Sequence, residues 1–195
     1  VRAILQGWYP GAEGGLAIAR ILFGEVNPSG KLPVTFYASA EGMPPVTDYS
    51  MKGRTYRYLE CDPMYPFGYG LSYSRFAYSD LRIKAETNGV RVTVLVKNTG
   101  DMDGDEVVQI YIKDAKSQFE VRNHRLAGFK RIHLRAGEEK DTEIFISDKQ
   151  FTVVNDKGER VKDGSEFILY AGGGQPDGRS EELTGQKPLE SLIHY

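Results

Sequence analysis

A single cysteine, Cys61, leaves this chain without any internal disulfide. The lone thiol suits a reducing compartment without defining one. Histidine is almost as scarce. His124, His133 and His194 are dispersed and show none of the spacings that hold a metal, so no metal site is expected. Tryptophan occurs once, at Trp8, too rarely to line a sugar-binding surface with indoles. No apolar run approaches the roughly 18 residues needed to span a bilayer. The formal net charge is -2, so no overall field draws the chain to nucleic acid or to an anionic membrane, and neither is expected as a partner. The chain opens Val1-Arg-Ala-Ile-Leu5 without methionine, so the lack of a leader-like segment says nothing about compartment. Serine and cysteine nucleophile motifs are absent, and no phosphate loop or other cofactor-binding signature is visible.

Tyrosine and proline, by contrast, are concentrated. Eight of the 12 tyrosines lie between Tyr37 and Tyr78 and six of the nine prolines between Pro28 and Pro66, which marks this stretch as a connector packed on a surface. A mobile linker would be richer in serine and poorer in large rings. Before it, residues 1–36 read as part of an α/β unit. Val1–Leu5 is a candidate buried strand, Gly7–Gly15 a turn-rich loop, and Leu16–Phe23 a helix stopped by Gly24. Lys31–Phe36 is a candidate extended segment. One helix and two short strands cannot cover both faces of a sheet, so this unit reads as the edge of a larger domain.

After the connector the period changes to two. Val90, Val92, Val94 and Val96 alternate with Arg91, Thr93, Leu95 and Lys97, as a half-buried strand requires. Asn88-Gly89 is a hairpin signal, with Leu81–Ala85 as the strand before it. Similar patterns run through Val107–Ile112, Leu126–Leu134, Thr142–Ile146, Phe151–Val154 and Phe167–Tyr170. About seven short strands separated by turns predict a mainly β fold, an antiparallel β-sandwich of immunoglobulin or fibronectin type III character. The missing cysteine pair favours the fibronectin variety.

Asp101-Met-Asp-Gly-Asp-Glu106 resembles the start of a calcium loop. However, Glu106 stands where the sharp-turn glycine belongs and Ile112 where a bidentate glutamate is needed, so an acidic hairpin is expected instead. Gly11–Gly15 and Gly172–Gly174 lack the lysine and hydroxyl of a phosphate loop. The first precedes a helix whose amides could face an anion or a sugar hydroxyl, and Glu13 lies there. Arg54, Arg57, Tyr56 and Tyr58 form either a shelf facing a sugar or pins for the connector. Glu13, Arg54, Tyr56 and Tyr58 are the candidate substrate-proximal residues.

Four blocks in order carry a resemblance: Trp8–Gly15; Leu22–Thr35; Gly53–Tyr73; and Val94–Gly100 with Glu106–Tyr111 and Leu126–Arg131. They resemble the C-terminal part of glycoside hydrolase family 3 enzymes, the family of many β-glucosidases and β-xylosidases. The resemblance implies a barrel, an α/β sandwich and a fibronectin type III-like domain. Residues 1–36 would end the α/β sandwich, 37–75 would be the connector, 76–173 the fibronectin-like domain and 174–195 a tail whose last residues dock on a neighbour. It implies a catalytic aspartate in the barrel and a glutamate acid/base upstream of Trp8. Glu13 matches neither, so no catalytic residue is expected in this chain, and no cofactor. Expected partners are the remaining barrel and α/β domains and, for the parent, a β-glucoside or oligosaccharide. A carbohydrate-binding module and a non-catalytic interaction domain remain as rivals.

Overall fold

The valine alternation does what its period predicts. The computed structural model describes residues 3–41 and 43–195. Its first regular element is helix α1 (Gly14–Leu22), closed at Phe23 and followed by Gly24 at φ 75°, the left-handed position glycine tolerates. A one-turn helix, α2 (Thr55–Tyr58), lies in the connector. Strands β1 (Phe76–Glu86) and β2 (Gly89–Asn98) form a hairpin closed by the Glu86–Gly89 pair. Strands β3 (Gly104–Asp114), β4 (Arg125–Leu134) and β5 (Glu139–Ser147) follow. Two-residue strands β6 (Val153–Val154) and β7 (Arg160–Val161) pair only with each other. Then come β8 (Glu166–Gly172), helix α3 (Gly178–Thr184) and β9 (Leu189–His194).

Three strands in the order β1-β2-β5 face four in the order β4-β3-β8-β9, and every pairing in both sheets is antiparallel. This is the antiparallel β-sandwich expected from the sequence. Its core is the inward set of each strand: Val90, Val92, Val94 and Val96 from β2, Val108, Ile110 and Ile112 from β3, Ile144 and Ile146 from β5, and Phe167 and Leu169 from β8. Phe151 plugs one end, edge-on to Phe167 at 5.1 Å. Burial of such side chains contributes roughly 1.5–3 kcal/mol each, which makes this half of the chain the stable one.

Several local expectations change. The acidic segment 101–106 is not a hairpin, because β2 and β3 lie in opposite sheets, residues 99–103 arch between them and 104–106 already belong to β3. The Asn98 side chain supports the arch, donating to Met102 and Leu134 carbonyls and accepting from the Gly100 N–H. Phe151–Val154 is not one strand. A 3₁₀ turn, Asp148–Phe151, aims Phe151 inward, and only Val153–Val154 pairs. The seventh sandwich strand is instead β9, which adds an edge to β8. Of the strand expected at Val1–Leu5, the described part, residues 3–5, is not in a strand. Val1 and Arg2 lie outside the described residues, and residues 3–5 are exposed without strand partners. Lys31–Phe36 is reduced to a single bridge between Phe36 and Tyr65. A strand needs a neighbour to satisfy its backbone: residues 3–5 show none, and Lys31–Phe36 exchanges backbone hydrogen bonds with the 64–69 segment only at Leu32 and Phe36.

Candidate functional site

The connector is held by an uncommon feature of β3, which is buried on both faces. Val108, Ile110 and Ile112 point into the sandwich, while Gln109 and Tyr111 on the outer face are equally covered. The cover is the connector. Tyr56 stacks on Phe67 with ring centroids 4.2 Å apart and meets Tyr111 edge-on. Gln109 Nε2 donates to the carbonyls of Gly68 and Gly173 at 3.0 and 2.9 Å, and its Oε1 accepts from the Tyr111 hydroxyl at 2.7 Å. Gly68 adopts φ 79°, and a Cβ there would lie 2.3 Å from Gln109 Oε1, so only glycine lets the backbone come this close.

A second clip joins the N-terminal segment to the sandwich. Lys31 Nζ lies 3.2 Å from Glu106 Oε1, with the two side chains only 14% and 4% exposed, and it also donates to the Gly70 carbonyl. Tyr78 donates to the same carboxylate at 2.9 Å. Burial pushes the Glu106 carboxyl above its usual range, opposed by the Lys31 charge and the Tyr78 hydrogen bond. Burial, with the Glu106 charge adding to it, pushes the Tyr78 phenol well up. Asn27 completes the clip, donating to Ser74 and the Asp103 carbonyl and accepting from Ser72 and the Tyr73 N–H.

Three clefts flank these contacts. The first, about 650 Å³, runs between the connector and the β8–β9 segment and includes Lys31, Tyr78, Glu106 and Gln186. The second, about 590 Å³, lies between α2, the loop before β4 and the β6–β7 hairpin. The third, about 270 Å³, holds Glu60, Asp62, His124 and Asp177. Asp177 is occupied as the N-cap of α3, accepting from the Ser180 N–H at 2.7 Å and hydroxyl at 3.2 Å. Burial nonetheless raises its carboxyl above the usual range. His124 sits edge-on to Tyr170, and burial lowers its pKa. Among the described residues no group of three or more His, Cys, Asp or Glu could hold a metal ion.

The residues singled out from the sequence are dispersed over these features. Glu13 caps α1 from an exposed position, without a side-chain cap bond. Arg54 is turned onto its own connector, donating to the carbonyls of Pro44, Pro45, Asp48 and Ser50. The Tyr56 hydroxyl accepts from the Leu126 N–H, and its carbonyl accepts from Asn123. Tyr58 lines the second cleft beside Tyr56, while Glu13 and Arg54 line none of the three. Sequence reasoning passed over Lys31, Tyr78, Gln109 and Asn123, the side chains that carry the clips.

Comparison with known proteins places this architecture. The glycosyl hydrolase family 3 C-terminal domain matches residues 1–73, and a fibronectin type III-like domain matches residues 106–175. The chain belongs to glycoside hydrolase family 3. It is similar to a xylan 1,4-β-xylosidase of Xylanibacter ruminicola, 42% identical over 172 residues that cover 86% of this chain and 20% of that protein. It is also similar to a probable β-glucosidase I of Aspergillus niger, 38% identical over the whole of this chain and 26% of that protein. Among solved structures, a β-glucosidase from Streptomyces venezuelae in complex with D-glucose superposes with a TM-score of 0.80 at 28% identity, covering 95% of this chain and 25% of that one. This family 3 chain therefore spans about a fifth to a quarter of the length of the relatives it matches, and it corresponds to their C-terminal part.

Proposed function

We propose that this chain is the non-catalytic C-terminal part of a retaining β-glycosidase that hydrolyses terminal β-glucosyl residues of short oligosaccharides or aryl glucosides, with nucleophile and acid/base both outside it. The observation that carries this reading is the apolar surface of residues 3–36. Tyr9 is fully exposed, Phe23 is 84% exposed, Leu22 and Ile4 are each 66% exposed, and in α1 only Gly14 is buried. A helix with so much uncovered apolar surface needs a partner layer. The missing barrel and α/β domains would supply it. The sandwich and its two clips then brace that domain, and the connector forms an outer wall near the substrate.

The carboxylates in the clefts fit the same reading. A retaining glycosidase needs two carboxyl groups about 5–5.5 Å apart across the scissile bond, one to attack and one to protonate the leaving oxygen. Here Glu106 is consumed by Lys31 and Tyr78, Glu120 by Arg125, and Asp177 by its helix cap, which leaves Glu60 and Asp62 as exposed connector side chains at the third cleft. A sugar-binding platform on the sandwich finds less support. The exposed rings on its strands are Phe129 and Phe145, on β4 and β5 of opposite sheets, and the Arg91 guanidinium lies 6.0 Å from the second ring. The test is hydrolysis of nitrophenyl β-glucoside and β-xyloside by the purified 195-residue chain. No turnover is expected. Sustained turnover that scales with chain concentration overturns the proposal.

A further inference from the structure

The second cleft carries a charge distribution that neither bracing nor the connector clip uses. Arg57, Arg122, Arg125, Lys149 and Arg160 line it against one carboxylate, Glu120. That carboxylate is already neutralised. Arg125 holds it through Nε and Nη2 at 2.9 and 3.2 Å, and the Asp114 and Val121 N–H groups donate to its two oxygens. Among the described residues, Arg57, Arg122, Lys149 and Arg160 take part in no ion pair. Four cations without a carboxylate partner thus line one concavity of a chain whose net charge is -2, Arg57 lying over the Tyr58 ring and Arg160 donating to the Thr152 hydroxyl and the Lys149 carbonyl.

Single arginines on a surface are ordinarily solvated and need no partner. Arg57 differs, because its Nε is buried and has no hydrogen-bond partner. That N–H is closed to solvent, and a turn of the half-buried side chain into the cleft it lines would present it to an acceptor there. The backbone around it is fixed, since the Arg57 carbonyl accepts from the Asn123 N–H at 3.0 Å. Behind the wall, Lys113 donates to the Val121 and Arg122 carbonyls. Burial pushes its ammonium below the usual value, Glu120 opposes this, and Arg125 and Arg122 add to it. Tyr58 and Phe119 supply apolar wall, and about 590 Å³ is room for one or two sugar rings.

We propose that this cleft binds an acidic saccharide, a sugar carrying a carboxylate or sulfate substituent, with Arg57 and Arg122 gripping the oxyanion and Lys149 and Arg160 drawing it in. Guanidinium forks match planar carboxylates and sulfate oxygens better than they match neutral hydroxyls. The saccharide part rests on the glycosidase reading above, whereas the anion part rests on the cleft alone. Such a site would hold decorated chains near the parent enzyme without taking part in hydrolysis.

The test is calorimetric titration of the 195-residue chain with four probes: a xylo-oligosaccharide bearing one glucuronate, the same oligosaccharide without it, a sulfated disaccharide, and sodium sulfate. At least one acidic saccharide should bind, weakening as salt is added, while the neutral one does not. Whichever acidic saccharide binds more tightly identifies the substituent. Lys149→Glu with Arg160→Glu, both on exposed positions, should weaken binding at least about tenfold and leave the melting temperature in place. Equal binding of the neutral oligosaccharide, an unchanged affinity in the double variant, or no binding at low salt overturns the proposal. Sodium sulfate binding as tightly as the saccharides leaves a bare anion site and overturns the saccharide assignment. None of these outcomes depends on turnover, so this proposal and the glycosidase reading fail separately.

Discussion

Replacing Glu106 with glutamine keeps an acceptor for Tyr78 but leaves the largely buried Lys31 ammonium without its countercharge. Removing one partner of a buried pair typically costs 3–5 kcal/mol. Glu106→Gln should therefore lower unfolding free energy by about 3 kcal/mol in urea titrations. A loss below about 1 kcal/mol would mean that Lys31 swings out to water and the clip carries little. Lys31→Met should behave differently, with a pH signature. Burial already raises the Glu106 carboxyl, and removing Lys31 takes away the main opposing influence. A carboxyl whose folded pKa lies above its unfolded value binds its proton more tightly when folded. Its contribution is then complete below the usual value of 4.5 and is lost as pH rises through the raised folded value. The Lys31→Met chain should thus lose stability relative to wild type as pH rises above the usual carboxyl value of 4.5. A flat difference across that range counts against the assignment. The pair was partly legible in the sequence, because Glu106 falls in phase with Val108, Ile110 and Ile112 and so shares their inward face. Lys31 was not, since a contact between residues 75 positions apart leaves no local pattern.

At the scale of elements, period decided what could be read. The β1–β2 hairpin and strands β3, β5 and β8 follow from alternation and turn residues, because each packs one face on the core. Strand β9 was missed as a strand because it is an edge whose burial alternates only between intermediate and exposed, which weakens its signature. The arch at 99–103 was mistaken for a hairpin because turn composition reveals that the chain reverses, not which sheet it enters next. The cover on β3 was legible only as a cluster of tyrosine, proline and glycine. Its requirement is concrete at Gly68, where φ is 79° and a Cβ would also lie 2.7 Å from the Tyr111 hydroxyl. Gly68→Ala should therefore cost about 2–4 kcal/mol, from left-handed strain and from breaking the Gln109 hydrogen bonds. Hydrogen exchange should show lost protection in residues 65–70 and at Gln109 and Tyr111, with β2 and β5 less affected. Unchanged protection over 65–70 would mean that the connector is held by its rings and not by this close approach.

For the whole molecule, the chain divides into a well-packed sandwich and an apolar N-terminal surface clipped beside it. The sandwich buries its own core, whereas residues 3–36 present Trp8, Tyr9, Leu16, Leu22 and Phe23 to solvent. Contiguous apolar surface of this kind associates when nothing covers it. The isolated chain should therefore sediment as dimers or larger species at micromolar concentration. Leu22→Gln with Phe23→Gln should shift it toward monomer. Because both side chains are exposed and neither belongs to the packed core, this change should alter unfolding free energy by no more than about 0.5 kcal/mol. In the full-length parent the expected effect reverses. The same pair would then face the missing domain, so its replacement should destabilise the protein by roughly the transfer energy of two buried side chains, about 3–6 kcal/mol. Sedimentation velocity on the isolated chain and thermal unfolding of the parent separate the possibilities. If the wild-type chain is monomeric and the parent is indifferent to the double substitution, this surface is no domain interface. If the chain associates and the parent is destabilised, the same residues hold the sandwich to the catalytic part of the enzyme.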